Sequence, residues 1–493
     1  MAKLVPTTLP RLCERTLSLL PLEIAGPAYD RGSTRLGVVH FGPGAFHRAH
    51  QAEVFDRILA TDPRFAICDV SLRSDDVRTA LEPQQGLYAL FEREADPKVR
   101  VIGSITRLLT APKSPEAVRA VLADPGVRFV TATVTEKGYG LIAPGGLDVE
   151  APAIRRDLEQ PRTPQSLIGW IVEGLRLRRA AGARAFTILS CDNLPGNGAR
   201  LRQGVLQFAE AIGERDLAGW IEAEARFPST MVDSITPATD EALRAEAREV
   251  LGLEDAWPIQ RERFTQWVIE DVLPEDGPAF AGAGVILAGD VGLFEQAKLR
   301  LLNGAHSALA YLGLLRGRTL VSDAMTDRAL AAFVEAMMRQ EIAPSLQSAP
   351  GLDLDAYIGA ILTRFRNPAI EHRLSQIAWD GSQKLPIRLL ATLAEALEAG
   401  RPFDRVALAV AGWMAFVRER SRAGELIVDP LADRLTGIGR RCDGDPAHDV
   451  ALFLDLEPVF PRPLAADPRF RAALETACGR LADPGSALLI SSR

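Results

Sequence analysis

The chain has 493 residues and a net charge of -7, from 57 Lys and Arg against 64 Asp and Glu. That length exceeds what one hydrophobic core serves, so two domains are expected, and the acidic balance offers no basic footprint for nucleic acid. The composition, 47% hydrophobic and 25% charged, is that of an ordinary globular protein, and no apolar run reaches the about 18 residues of a membrane span.

The N-terminus, Met1-Ala2-Lys3-Leu4-Val5-Pro6, lacks the apolar centre of a signal peptide, which predicts a cytoplasmic location. The five cysteines, Cys13, Cys68, Cys191, Cys442 and Cys478, are odd in number and scattered, with no Cys-x-x-Cys pair. This suits reduced thiols and argues against structural zinc. Six histidines without a His-Glu-x-x-His motif argue against a catalytic metal as well.

Residues 1-35 read as an N-terminal helix and a loop. The apolar run Leu36 to Phe41 is followed at once by Gly42-Pro43-Gly44-Ala45-Phe46-His47. A strand, a Gly-x-Gly turn and a helix start over 46-60 form a dinucleotide-binding pattern. The glycines let the backbone approach a pyrophosphate, and the helix start favours its charge. Gly42, Gly44, Ala45 and Phe46 are therefore candidate cofactor contacts. His47 stands where a third glycine is usual. A second strand is expected over Phe65-Leu72, and an acidic group at its end would bind the adenosine ribose hydroxyls. Asp69 is the first candidate, with Asp75 and Asp76 behind it. Arg73 could instead accept a 2'-phosphate, so the cofactor reads as NAD, with NADP not excluded.

Further strands are expected at 101-105, 127-134 and 185-190, interleaved with helices at 115-123, 164-182 and 198-213. This alternation predicts a mainly parallel, doubly wound sheet, whose ligands gather at the carboxyl ends of its strands. Two strands end in polar loops, Thr135-Glu136-Lys137-Gly138-Tyr139 and Cys191-Asp192-Asn193-Leu194-Pro195-Gly196-Asn197-Gly198. Residues 227-239 read as an irregular connection and then a strand, 266-271 as a strand, and the Pro- and Gly-rich run 274-289 as a boundary. From about 290 the pattern is nearly all helical, with breaks at 343-352, 425-428 and 441-446. The expected domains are 1-285 and a helical 286-493, with the active site in the cleft between them.

The stretch 294-311 carries the chemistry. At about 100° per residue, with Lys298 at zero, Glu295 lies near 60°, His306 near 80° and Asn303 near 140°, one arc of about 140°. Leu299 and Leu302 fall in the same arc, which describes a mostly apolar pocket wall. Gly304 costs a helix interior about 1 kcal/mol relative to Ala, so something is expected to approach the backbone there. Charged and amide groups on a helix face are commonly just a solvated surface. The leucines among them and the nucleotide signature upstream favour catalysis.

Seven ordered motifs resemble the mannitol dehydrogenase family, the polyol-specific long-chain dehydrogenase/reductases. They are Gly42-x-Gly44-Ala-Phe-His-Arg-Ala-His50, Thr135-Glu-Lys-Gly-Tyr139, Ser190-Cys-Asp-Asn-Leu194, Phe227-Pro-Ser-Thr-Met-Val-Asp233, Gln266-Trp-Val-Ile-Glu-Asp271, Lys298-Leu-Arg-Leu-Leu-Asn-Gly-Ala-His306 and Asp380-Gly-Ser-Gln-Lys-Leu-Pro386. The resemblance covers roughly 36-490. It implies a Rossmann-type N-terminal domain, a helical C-terminal domain and metal-free, NAD(P)-dependent oxidation of a secondary alcohol. It further implies that Lys298 is the general base, that Asn193 and Asn303 bind the substrate oxygen, and that His306 positions it. Glu295 would serve proton exit, Val232 and Asp233 the cofactor, and Lys384 the substrate. Two positions depart from the family: Ser234 where a basic residue is expected, and Asp69 where glycine is common.

A lysine base needs its pKa lowered from about 10.4, which burial and a positive nicotinamide would favour. The substrate pairs implied are mannitol/fructose and mannonate/fructuronate. The segment 380-386 followed by Arg388 leans to mannonate, whose carboxylate would welcome Lys384 or Arg373. The alternatives are a non-catalytic dinucleotide-binding protein, which predicts affinity without turnover, and a metal-dependent alcohol dehydrogenase, for which the ligand spacings are absent. The expected partners are a small sugar alcohol or sugar acid, neither nucleic acid nor membrane, and the expected state is a monomer or weak homo-oligomer.

Overall fold

The computed structural model describes residues 9-142 and 145-482, in two compact units that divide between Gly292 and Leu293. The strands of the first unit are β1 (Leu36–Phe41), β2 (Ala66–Ser71), β3 (Tyr88–Arg93), β4 (Lys98–Ile102), β5 (Ile105–Thr110), β6 (Phe129–Ala132), β7 (Thr187–Ser190), β8 (Thr230–Asp233), β9 (Ile259–Glu262), β10 (Gln266–Glu270) and β11 (Ile286–Ala288). Five of them form one parallel sheet in the order β5-β2-β1-β6-β7. The chain thus starts in the middle, winds one way, then crosses over and winds the other, leaving a crevice where the order reverses between β1 and β6. Both faces of this sheet are covered, which is why its strands are so uniformly apolar. Val38, Ile67 and Phe129 belong to the core on one face, and Val39, Phe41, Val130 and Ile188 to the core on the other.

Two smaller sheets, β4-β3-β9 and β11-β10-β8, complete the unit. The strand expected at 101-105 is in fact a junction. Val101 and Ile102 end β4, Ile105 starts β5, and Gly103-Ser104 turn between them. Asp56 accepts the Gly103 N–H at 2.8 Å, and the Ser104 hydroxyl donates to the Ala52 carbonyl at 2.7 Å. Apolar periodicity cannot separate two strands that share one apolar run. The helix expected over 46-60 is broken at His50 into α1 (Ala45–Ala49) and α2 (Gln51–Leu59). At the break the His50 ring bonds the Gln266 carbonyl at 3.0 Å.

Gly42 has a φ of +90°, and a Cβ there would lie 2.2 Å from the Thr133 carbonyl oxygen. Only glycine makes this turn. At the end of β7, fully buried Asn197 ties three segments together. Its amide donates to Ser190 O at 3.1 Å and to Thr230 O at 2.9 Å, and its carbonyl accepts the Thr230 N–H at 2.9 Å.

The second unit is helical. Its leading helix runs through Val291–Ala297, a π turn Lys298–Asn303 and a second α segment Gly304–Leu315. Two more π turns, Met337–Ile342 and Pro386–Leu390, pack against the first. The approach is closest at Gly304, where a Cβ would stand 3.1 Å from the Arg388 carbonyl and 3.8 Å from Ile342 Cδ1. This is the close contact that a mid-helix glycine implied. The long helix Asp404–Ala423 forms the middle of the unit, packed against Gly304–Leu315, Ala432–Arg441 and Pro468–Leu481. Buried Glu341 accepts the Arg405 and Val406 N–H groups at 3.0 and 2.9 Å, so a carboxylate sits where the helix start favours negative charge. Besides the expected breaks, the helices also stop at 316-320, 367-373 and 455-461. Among the described residues no helix is long and apolar enough to cross a membrane.

Replacing Asn197 by Ala strands a buried Thr230 N–H and removes two donors from buried carbonyls. The expected cost is about 3 kcal/mol of stability, read as a lowered melting temperature. An unchanged melting temperature would refute the bracing role.

Candidate active site

In the first unit, three segments leave the carboxyl ends of β1, β6 and β7, which are neighbours in the sheet. After β1, Gly44 opens α1, whose start no side chain caps. A Cβ at Gly44 would meet nothing nearer than the Gly42 oxygen at 3.9 Å. The Gly44 N–H is taken by the Gly42 carbonyl at 2.7 Å, so the first N–H groups of α1, at Ala45 and Phe46, are what a dinucleotide pyrophosphate would meet. After β6, Thr135 adopts a left-handed φ of +65°. After β7, Asp192 accepts the N–H groups of Val134 and Thr135 at 2.8 and 3.2 Å and the Tyr139 hydroxyl at 2.9 Å. Tyr139 also bonds the Ser190 hydroxyl at 2.6 Å. Burial raises the Asp192 carboxyl above the usual range, and its hydrogen bonds pull it back.

The two polar loops are therefore laced together, and the lacing presents Asn193, the next residue, on an exposed loop. Val232 and Asp233 are buried at the end of β8, the strand that Thr230 ties to Asn197 and to Ser190 O. Asp192 and Tyr139 lie within the quoted motifs, and Asn197 lies in the polar loop after β7. Residue type alone did not mark them as braces rather than ligand contacts.

Asp69 requires a correction. It lies inside β2, not at its end, and it is completely buried. The register pairs it across the sheet with His40, and its side chain approaches His47 Nε2 at 3.0 Å. The His40 and His47 rings stack with centroids 3.3 Å apart and planes within 11°. Burial pushes the Asp69 carboxyl up to about 7 and both imidazoles well below their ordinary value. Burial thus disfavours charge on either partner. A ribose cannot reach Asp69. Beyond the end of β2, just before the helix Asp76–Leu81, stands Asp75, held by Arg78 at 2.8 Å, Lys113 at 2.7 Å and the Thr110 hydroxyl. These contacts keep its carboxyl well below the usual range. Arg73 and Asp76 are exposed beside it.

In the second unit, Glu295, Lys298, Asn303 and His306 share one continuous helix. In an α-helix Asn303 would lie about 140° round from Lys298. The i→i+5 bonding of a π turn underwinds that interval and draws the two side chains toward one face, and such turns recur at functional sites. Glu295, Lys298 and Asn303 are half-buried, whereas His306 is only 7% exposed. The His306 ring lies 4.5 Å from that of Phe365 and 4.9 Å from that of His372. Burial, then the neighbouring His372, Arg364 and Arg388, hold its imidazole far below the ordinary pKa, so it is neutral. Its Nε2 has no hydrogen-bond partner among the described residues.

Arg388 donates to the Asn303 carbonyl at 3.4 Å and to the Ser307 hydroxyl at 3.3 Å, and it makes no ion pair among the described residues. Lys384 is half-buried and donates to the Ile377 carbonyl at 3.2 Å; burial, then Arg388, lowers its pKa. Arg373 is exposed, and its neighbour His372 is the one that meets His306.

Known proteins match over nearly the whole chain. A family model described as the mannitol dehydrogenase Rossmann domain covers residues 36–281, and one described as the mannitol dehydrogenase C-terminal domain covers 290–482. An uncharacterized oxidoreductase of Escherichia coli K12, YeiQ, is 42% identical over 95% of this chain and 96% of its own. The D-mannonate oxidoreductase of the same organism is 40% identical over 94% of this chain and 97% of its own. Among solved structures, the mannitol 2-dehydrogenase of Pseudomonas fluorescens, in ternary complex with NAD and D-mannitol, is 38% identical. It covers 97% of this chain and 98% of its own, with a TM-score of 0.79. With both halves of its length matched in order, the chain belongs to the mannitol dehydrogenase family of oxidoreductases.

Proposed function

We propose that the chain is an NAD-dependent dehydrogenase that interconverts a secondary alcohol of an acyclic polyol or aldonate with its keto sugar, with Lys298 as the general base. The observation that carries this reading is the leading helix of the second unit. There a π turn spans Lys298 to Asn303, and a neutral, buried His306 follows within the next turn. The solved complex of a relative with NAD and D-mannitol supports the cofactor and the substrate class.

Lys298 takes the hydroxyl proton, and a nicotinamide bound to this chain would supply the hydride acceptor. Asn193 and Asn303 supply amide N–H donors to the developing alkoxide, where losing one donor costs about 3 kcal/mol in the transition state. His306, being neutral and unpartnered at Nε2, holds a substrate hydroxyl and does not compete for the proton. Glu295 passes the proton from Lys298 toward water. Gly42, Gly44 and the start of α1 would hold the pyrophosphate. With Asp69 withdrawn, the exposed Asp76 and Arg73 are the charges that choose between NAD and NADP.

The cations near His306 favour an aldonate over a neutral polyol. Arg388 makes no ion pair among the described residues, Arg364 acts with it on His306, and Lys384 feels Arg388 more than it feels Asp380 and Asp429. A substrate carboxylate would meet that charge. The D-mannonate oxidoreductase among the relatives agrees with this branch.

Spectrophotometry of NADH formation on mannitol, sorbitol, arabinitol, mannonate and altronate tests the reading. Wild type should turn over at least one, and Lys298→Ala should lose about 10³-fold in kcat while still binding NADH. Dinucleotide binding with no turnover of any member would favour the non-catalytic alternative. Lys384→Ala should depress aldonate turnover more than polyol turnover; equal losses would remove the carboxylate argument. Because the His306 imidazole stays uncharged far below neutrality, His306→Asn should slow the reaction by one factor from pH 6 to pH 9. A shifted acid limb would instead make His306 the titrating base.

A further inference from the structure

Beneath the Gly42–Gly44 turn lies a buried polar cluster that neither the cofactor contacts nor the chemistry uses. It runs from Asp69 on β2, through His47 on α1, to His40 on β1, and all three are completely buried. Asp69 and His47 approach at 3.0 Å, but neither the carboxyl oxygens nor the His47 nitrogens find an aligned hydrogen bond among the described residues. Such groups are expensive to bury, so their joint burial asks for an explanation.

His40 carries the cluster to the turn. Its Nδ1 meets the Thr131 hydroxyl at 2.7 Å, and its Nε2 meets the Gly42 carbonyl at 3.2 Å and the Thr133 hydroxyl at 3.0 Å. A carbonyl only accepts, so Nε2 bears the proton, which fixes the tautomer and the ring plane. His47 lies flat on that ring and fills the space where a third glycine would let the helix close on the strand. With an imidazole there, the distance of α1 from the sheet depends on what lies under His47, and that is Asp69. Arg48, the nearest cation, is occupied elsewhere. It donates to the Trp257 carbonyl at 3.0 Å, with its guanidinium 4.9 Å from the Trp257 ring and 5.6 Å from the Tyr88 ring.

We propose that Asp69 and His47 are a buried positioning pair for the dinucleotide: the carboxyl seats the imidazole, the imidazole seats His40, and His40 holds the Gly42 carbonyl. The inference rests on the dinucleotide reading of the turn given above. The pair acts through the pyrophosphate-binding backbone and touches neither ribose nor substrate.

The experiment measures NADH and NADPH dissociation constants by fluorescence, together with kcat and KM for the cofactor, in wild type, Asp69→Ala, Asp69→Asn and His47→Gln. Asp69→Ala should weaken both nucleotides by the same factor, on the order of tenfold, as expected for disturbing one backbone hydrogen bond to a charged group. The cofactor KM should rise with it and kcat stay unchanged. Asp69→Asn, which keeps the shape and an acceptor, should recover most of the affinity. If Asp69→Ala fails to fold, His47→Gln should show the same equal loss for both nucleotides. Unchanged affinities would overturn the proposal, as would a loss for NADH alone, the mark of a ribose contact. Wild-type protein that binds neither nucleotide would overturn the dinucleotide reading itself, and this inference with it.

Discussion

The carboxyl edge of a parallel sheet is a row of backbone groups that has run out of strand partners. Buried N–H and C=O groups must be satisfied by something, and in the first unit side chains do it. The Thr133 hydroxyl and His40 serve the Gly42 carbonyl, Asp192 serves Val134 and Thr135, and Asn197 serves Ser190 and Thr230. Each of these side chains is spent on the backbone. What the scaffold leaves uncapped is the start of α1. The polar loops are thus mostly scaffold.

The second unit solves a different problem. One helix carries the amine of Lys298, the amide of Asn303 and the imidazole of His306 while packing closely against its neighbours. Small residues let it lie close to its neighbours: Gly304 admits the Arg388 carbonyl, and Ala305, Ala308 and Ala310 are fully enclosed. The π turn redistributes the side chains without breaking the helix. The same closeness brings Arg388 against Asn303 and Ser307, so the residue that narrows the packing also sets the local charge.

Much of this was readable. The strand, turn and helix start at 36-49 are punctuated by glycines whose conformational need is specific, and Gly304 announced its close contact. Asp69 misled because it combined the expected residue type with nearly the expected spacing. The alternation that turns Ile67 into the core turns Asp69 inward as well, and that signal was present in the sequence. The junction at Gly103-Ser104 and the small sheet β4-β3-β9 were hidden because strand pairing at long range leaves no local periodicity. The π turn was hidden for a related reason: Leu, Arg and Asn suit both windings, and the choice is made by packing against Pro386–Leu390 and Met337–Ile342.

A π turn is equivalent to one residue more than an α-helix needs over the same rise. The packing that imposes this winding is therefore as much a part of the arrangement as the residues between Lys298 and Asn303. Were the same residues to relax to α winding, Asn303 would fall back to about 140° from Lys298, and everything after it would turn with it. Asn303 and His306 would leave the face they share with it, although every functional side chain would still be encoded. A change in Pro386–Leu390 or Met337–Ile342 that loosened their contact with this helix would then alter the face it presents without removing the fold.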